Sequence, residues 1–267
     1  MLLTRMAHHK TREVEMTLTD EYRVVTAKDD FDLVRSASSR IGEHWPEFML
    51  HDPVAEHFPR CYDELPEFQF VLTRIDSDEA LAIGNSIPIS FDDDLEELSE
   101  EGWDWAMTKG MSDLDSGAQP NYLCALQVVV FREYSGEGLS RHVVDAMKRI
   151  GRSVGLHGLM APVRPSLKNQ YPLTDIDRYI KWVDEDGMPF DPWMRVHRRL
   201  GARIIKPCHS AMRISDTVSK WEEWTRYRFP ESGSYIIPGA LVPVEIDVES
   251  NTGTYIEPNV WMFHPLE

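Results

Sequence analysis

The sequence predicts an α/β (α+β) fold, a mixed central sheet flanked by helices, and three observations predict it. The run YLCALQVVV, residues 122–130, is apolar on both faces, the pattern of a strand covered on both sides. After it, Leu139, Val143, Met147, Ile150 and Val154 recur at helical spacing, with Arg141, Asp145, Lys148 and Arg152 on the wet side. Gly155 supplies a stop, and residues 158–163 read as the next strand, which completes a parallel β-loop-α-β crossover. Two β-like runs, residues 68–74 and 81–87, flank the acidic turn IDSDE and provide the antiparallel half as a hairpin.

The other elements follow in chain order. Residues 22–25 read as a short strand, before a helix that opens near Asp29 or Asp30 and carries Phe31, Leu33, Val34 and Ala37 inward. Between residues 90 and 120 the chain turns from DDDLEELSEE to the aromatic GWDWAM and then to turn-formers, which predicts an insert. Its acidic run reads as a solvated helix face or a rim for a cationic acceptor, and Trp103 and Trp105 as packing residues or pocket walls. A second insert, residues 164–190, contains a helix capped by Thr174 with Asp177 as the capping-box acid, and Tyr171, Tyr179 and Trp182 read equally as lining of a cleft mouth or as packing residues. DPWMRVHRRLGARIIK then reads as the N-cap Asp191, a proline at the first helical position, a short helix, a stop at Gly201 and a strand. The later run YIIPGALVPVEID reads as a proline-interrupted edge strand, or as an arm that covers the cleft or joins a second subunit; a homodimer is one arrangement it allows. The resulting division is a loose arm over residues 1–16, a main domain over 17–215 with inserts near 90–120 and 164–190, and a C-terminal extension over 216–267 packed on the domain or a partner subunit.

Composition narrows the partners. With 267 residues and 42% hydrophobic content the chain can bury a full core. A formal net charge of −17 repels phosphate backbones, so no nucleic acid is expected, and it favours a small cationic acceptor such as an amine. Cys61, Cys124 and Cys208 are too scattered for a disulfide framework or a zinc knuckle, and the histidines form no HxxxH or HxH pair, so no metal is expected. Cys124 and Cys208 read as core residues rather than nucleophiles. No apolar run is long enough for a bilayer, and MLLTRMAHHKTREVEM lacks the features of a secretory signal, which predicts a cytoplasmic chain with no membrane partner.

The junction VVVFREYSGEGLS is the most informative segment. Glycines at a strand-to-helix turn let successive backbone N–H groups converge on an anion at the helix start, and a pyrophosphate is the natural guest. On spacing alone, G-x-G is equally a tight turn. The whole unit, however, resembles the GNAT acetyltransferase family, whose central motif joins a buried strand, a tyrosine-containing turn, a glycine-rich loop and a helix that together hold coenzyme A. In the family the loop reads Gln or Arg, two residues, Gly, one residue, then Gly or Ala; that register falls here on Ser135, Gly136, Glu137, Gly138, Leu139 and Ser140. Gly136 and Gly138 match, while Ser135 replaces the Gln or Arg and Ser140 the small last residue.

The resemblance implies a GNAT-like mixed sheet and an N-acyltransferase using acetyl-CoA, or another acyl-CoA, as co-substrate. It implies that the backbones of Val128, Val129 and Val130 pair with the pantetheine arm where the sheet splays open. Family chains also carry a tyrosine four residues before a glycine, in a pattern like FYEKLGF, which often protonates the departing thiolate. Here His197 stands at that position before Gly201, as a candidate general acid with an ordinary pKa of ~6.5, or else as a hydrogen-bonded structural residue. Tyr122 falls near the place where several members carry a catalytic glutamate and cannot replace that base easily, so the base acts through water from elsewhere or the amine arrives neutral. Two other readings of the same residues are a non-catalytic CoA-binding or sensor module, and an interaction protein whose acidic and aromatic inserts dock a basic partner.

Overall fold

A computed structural model describes residues 16–266, so residues 1–15 of the expected N-terminal arm lie outside the described residues. β1 (Met16–Thr17), β2 (Tyr22–Thr26), β3 (Gln69–Arg74), β4 (Ala80–Ile89) and β5 (Tyr122–Val130) pair antiparallel in chain order. The hairpin expected around the IDSDE turn is the β3–β4 pair. Helix α1 (Phe31–Ser38) starts where Asp30 accepts a hydrogen bond from the Leu33 N–H, and it packs Val34 and Ala37 on the sheet. Helix α2 (Phe58–Glu64) has a proline in its first turn and buries Cys61 and Tyr62.

The first expected insert is divided between surface and core. Its acidic run forms no helix face: residues 92–94 are irregular and residues 95–97 make one 3₁₀ turn, because consecutive aspartates bond nearby backbone in turns more readily than they propagate a helix. Helix α3 (Gly102–Ser116) follows and buries Trp103, Ala106, Met107 and Met111. Its close seat needs Gly110, where a Cβ would come within 2.4 Å of Ile87.

The parallel crossover lies where the apolar periodicity predicts it. Helix α4 (Leu139–Ser153) connects β5 to β6 (Gly158–Val163), and β5 and β6 run parallel. In the second insert, helix α5 (Ile176–Tyr179) is capped by Asp175, not Thr174; the Asp175 carboxylate accepts from the Asp177 N–H at 2.8 Å and is one residue closer to the first helical turn. Helix α6 (Pro192–Arg199) begins at Asp191, which accepts from the N–H groups of Trp193 and Met194. The chain then turns at Gly201, whose φ is +90°, into β7 (Arg203–Asp216).

The segment expected as an outer extension enters the sheet. After α7 (Val218–Thr225), β8 (Gly233–Tyr235) and β9 (Val244–Asp247), strand β10 (Thr252–Pro265) pairs with β7 along one edge. Its other edge pairs with β9 near its start and with β6 from Val260 to Pro265. The sheet order is β1-β2-β3-β4-β5-β6-β10-β9-β8, with β7 on β10. Pro258 masks this strand in the sequence, but it sits where the β7 register slips between Glu257 and Asn259, a position at which its missing N–H costs the ladder little.

Candidate active site

Strands β5 and β6 pair only from Tyr122 to Cys124 against Gly158 to Met160, and then they part. One cause is a bulge: on the β4 side, Gln127 pairs with Asn85 and Ala125 with Ser86, which leaves Leu126 as an extra residue. The Trp103 indole N–H donates to the Leu126 carbonyl at 2.8 Å and holds the bulge from α3. Beyond it the inner edge of β5 has no strand partner among the described residues, and a cavity of about 820 Å³ opens beside it. Ala125, Val128 and Val130 form one wall; Ala161, Val163 and Arg164 face them from the β6 side. Apart from Tyr122, the half-exposed residues of β5 are ones that line the cavity, and they account for the departure from double-sided burial.

At one end of the cavity the chain turns into α4. Gly136 has φ +91° and Gly138 φ +72°, both left-handed. A Cβ on Gly136 would meet nothing within 4 Å, and one on Gly138 would meet only Arg141 Nε at 3.9 Å, so glycine serves the backbone path rather than space. The first-turn N–H groups of α4 have no intrahelical acceptor, and Ser140 lines the cavity beside them. The other predicted side chains point elsewhere: Ser135 and Glu137 are exposed, with Glu137 ion-paired to Arg74 at 3.4 Å, and Leu139 is buried on the sheet. Val129 packs on the opposite face with Ile83 and Phe131, so only its backbone is available. Arg132, at the same loop, donates to the Glu43 carbonyl.

His197 also lines the cavity, and its residue is only 2% exposed. Its Nδ1 lies 2.8 Å from His264 Nε2, and its ring packs edge-on against Trp193 with centroids 4.4 Å apart. Burial first, and the neighbouring His264 second, hold its pKa well below the usual histidine value. His264 is itself pushed down to about 4, by burial and then by the Lys148 ammonium. Both rings are therefore neutral near pH 7. A neutral imidazole does not give up its proton readily, so a proton that His197 delivers is one it has first accepted. Tyr122 lies at the closed end of the β5–β6 pair, opposite Gly158 and edge-on to His157, outside the cavity wall.

Of the far wall, the sequence reading offered only Trp103 and missed the rest. Trp45, Phe58, Tyr62 and Trp103 provide aromatic surfaces there, beside a buried ion pair. Both Glu257 oxygens lie 2.9 Å from Arg164 Nε, the Tyr255 hydroxyl donates to Glu257 Oε2 at 2.8 Å, and Arg164 Nη2 donates to the Gly239 carbonyl at 2.6 Å. Behind this wall Asp52 and Asp104 turn carboxyl oxygens toward each other, and one oxygen of each is buried without a conventional donor. Burial, then the charge of Asp52, raises Asp104 to about 8; burial raises Asp52 to about 6, so the pair holds a proton between them. Of the two readings of Tyr171, Tyr179 and Trp182, packing holds: all three rings meet Phe190 edge-on, and the Tyr179 hydroxyl donates to Asp191 at 2.9 Å. No local pattern announces the far wall, since Glu257 and Arg164 are 93 residues apart.

No family model matches the chain. It is similar to an arginine N-acetyltransferase, avaD, of Aspergillus versicolor, with 28% identity over 291 residues that cover 98% of this chain and all of that protein. Among solved structures it resembles the loading GNATL domain of CurA from Lyngbya majuscula, with a TM-score of 0.61, 17% identity and coverage of 92% of this chain and 98% of that one. It also resembles the GphF GNAT-like decarboxylase in complex with isobutyryl-CoA, with a TM-score of 0.53, 15% identity and coverage of 92% and 100%. The likeness in sequence to avaD and the likeness in fold to these structures each run nearly the length of the chain, and the latter shows a GNAT-like fold.

Proposed function

We propose that this protein is an acyl-CoA-dependent N-acyltransferase that moves an acetyl group from acetyl-CoA to a small amine, with arginine as the first acceptor to try. The observation that carries the reading is the continuity of the cavity, which runs from the α4 start, along the unpaired edge of β5, to His197. In this reading the left-handed turn at Gly136 and Gly138 and the first-turn N–H groups of α4 hold the pyrophosphate, with the Ser140 hydroxyl as a further donor. The backbone from Val128 to Val130 pairs with the amides of the pantetheine arm as a neighbouring strand would.

The chemistry is direct transfer. The acceptor nitrogen attacks the thioester carbon, the C–N bond forms, the C–S bond breaks, and backbone N–H groups steady the oxyanion. His197 takes the proton that the nitrogen sheds and passes it to the leaving sulfur, so its imidazole is neutral before and after, and the products are an amide and a free thiol. The aromatic far wall suits a cationic acceptor, which a net charge of −17 also attracts. The arginine specificity named for the avaD relative favours that acceptor. The partner is then a small molecule rather than nucleic acid or a membrane. The unpaired, buried thiols of Cys61, Cys124 and Cys208 support a reducing compartment such as the cytoplasm.

The test is thiol release from acetyl-CoA with arginine and a panel of amines, and mass analysis of the product. Acetylated acceptor in step with free thiol is the expected outcome. Acetyl-CoA binding without turnover on any amine would favour a CoA-binding sensor, and no binding would defeat both readings.

A further inference from the structure

We propose that His264, on β10, fixes the tautomer of His197 so that His197 Nε2 presents a lone pair to the cavity and accepts the proton of the acceptor amine. The inference rests on the acyl-transfer reading and adds a positioning residue to it. His197 Nδ1 and His264 Nε2 lie 2.8 Å apart, so one proton bridges them. The question is which ring owns it. The answer lies on the far side of His264, where Nδ1 is buried and makes no well-formed hydrogen bond.

Two polar groups bear on that ring from outside the pair. The Lys148 ammonium disfavours positive charge on it and is committed to the Leu200 carbonyl at 2.9 Å. The Leu200 carbonyl favours a proton on His264. A carbonyl can only accept, so a bare Nδ1 turned to it would oppose two lone pairs, whereas Nδ1–H gains a weak partner. With the proton on Nδ1, neutral His264 has a bare Nε2, which accepts from His197 Nδ1–H. His197 Nε2 is then the bare nitrogen, on the ring that lines the cavity.

This is the logic of a base oriented by a third group, with an imidazole and a backbone carbonyl in place of a carboxylate. The substitution has a chemical consequence. A carboxylate would stabilise the imidazolium and retain the proton, but a neutral His264 stabilises it less, so the proton passes on to the sulfur. The balance is complete: the proton leaves the acceptor nitrogen, rests on His197 Nε2 and ends on the thiol, while the acetyl group moves from sulfur to nitrogen.

The experiment combines ¹⁵N NMR of the histidine rings in the whole chain with the kinetics of His264→Leu and His264→Gln. The expected spectrum shows both rings neutral and protonated at Nδ1. In His264→Leu, which removes the acceptor, His197 should shift to the Nε2–H form and kcat should fall about 10²-fold with KM unchanged. In His264→Gln, whose side-chain carbonyl can accept from His197 Nδ1–H, most of kcat should return. A wild-type His197 protonated at Nε2, or a His264→Leu chain as fast as wild type, would overturn the proposal and leave the acyltransferase reading intact. If the wild type acetylates no amine, that reading fails instead, and the proton-transfer role falls with it. Should His264→Leu not fold, the wild-type spectrum and the Gln variant still decide.

Discussion

The two ends of the cavity are built in different ways. At the α4 end, the proposed recognition belongs to backbone: two left-handed glycines, the first-turn N–H groups and an unpaired strand edge, all within residues 125–140. At the far end it belongs to side chains from distant segments: Trp45, Tyr62 and Trp103, the Arg164–Glu257 pair, and His197 set by His264. Backbone recognition tolerates changes in side chain, which is how Ser135 and Ser140 can depart from the GNAT pattern while the turn persists. Side-chain recognition depends on packing and desolvation, so each of its groups has a shifted pKa or a buried partner.

Variants can separate the two ends. The largest effect is expected for His197→Ala, which should lower kcat by ~10²–10⁴-fold while acetyl-CoA still stabilises the chain against heat. If binding is lost as well, the ends are not separable. Gly138→Trp should do the reverse: acetyl-CoA at a hundred times its Kd should add ~2.7 kcal/mol of stability to the wild type and nothing to the variant, measured by thermal unfolding. A ligand shift that survives in Gly138→Trp would remove the α4 start from the cofactor site.

Two smaller changes sharpen the picture of the far wall. The folded-state pKa of Asp104 is raised from 3.8 to about 8, so the folded chain keeps a proton that the unfolded chain releases. Its contribution therefore makes stability fall as pH rises from about 4 to about 8 and level off above. Asp104→Asn, whose amide can donate to Asp52 without a shared proton, should add ~1–3 kcal/mol at pH 8 and nothing at pH 4, read from unfolding at both. A gain that is equal at the two pH values would show that the pair does not share a proton. Trp103→Phe loses the bond to the Leu126 carbonyl together with part of a buried ring and should cost ~1–3 kcal/mol, with a larger rise in KM for the amine than for acetyl-CoA. Equal rises would place Trp103 in the bulge alone.

The helix and strand signals were legible where periodicity is local. The double-sided apolar run of β5, the amphipathic α4, the β3–β4 hairpin and the Asp191 cap stand close to where their residues predict them. Strand β10 was not legible, because Pro258 and polar residues such as Glu257 and Asn259 break up its apolar run, and only the bulge and the burial by β7 and β6 accommodate them. The Thr174 cap was missed by one residue, since Asp175 is an equally good cap and only the local turn decides between them. Val129 was assigned to the cofactor by its backbone, and its side chain faces the core as the alternation of a strand requires; the Leu139 side chain faces the core too, because an amphipathic helix turns its apolar stripe inward.

The sequence by itself determined the crossover unit and the glycine turn, since strand burial, helical periodicity and left-handed backbone are encoded within a few residues of the chain. Only the tertiary structure decided that β10 belongs between β6 and β7, that His264 meets His197, and that Arg164 neutralises Glu257. Those contacts join residues 67 and 93 positions apart, and their strength depends on the low dielectric of a packed core, a property no local segment possesses.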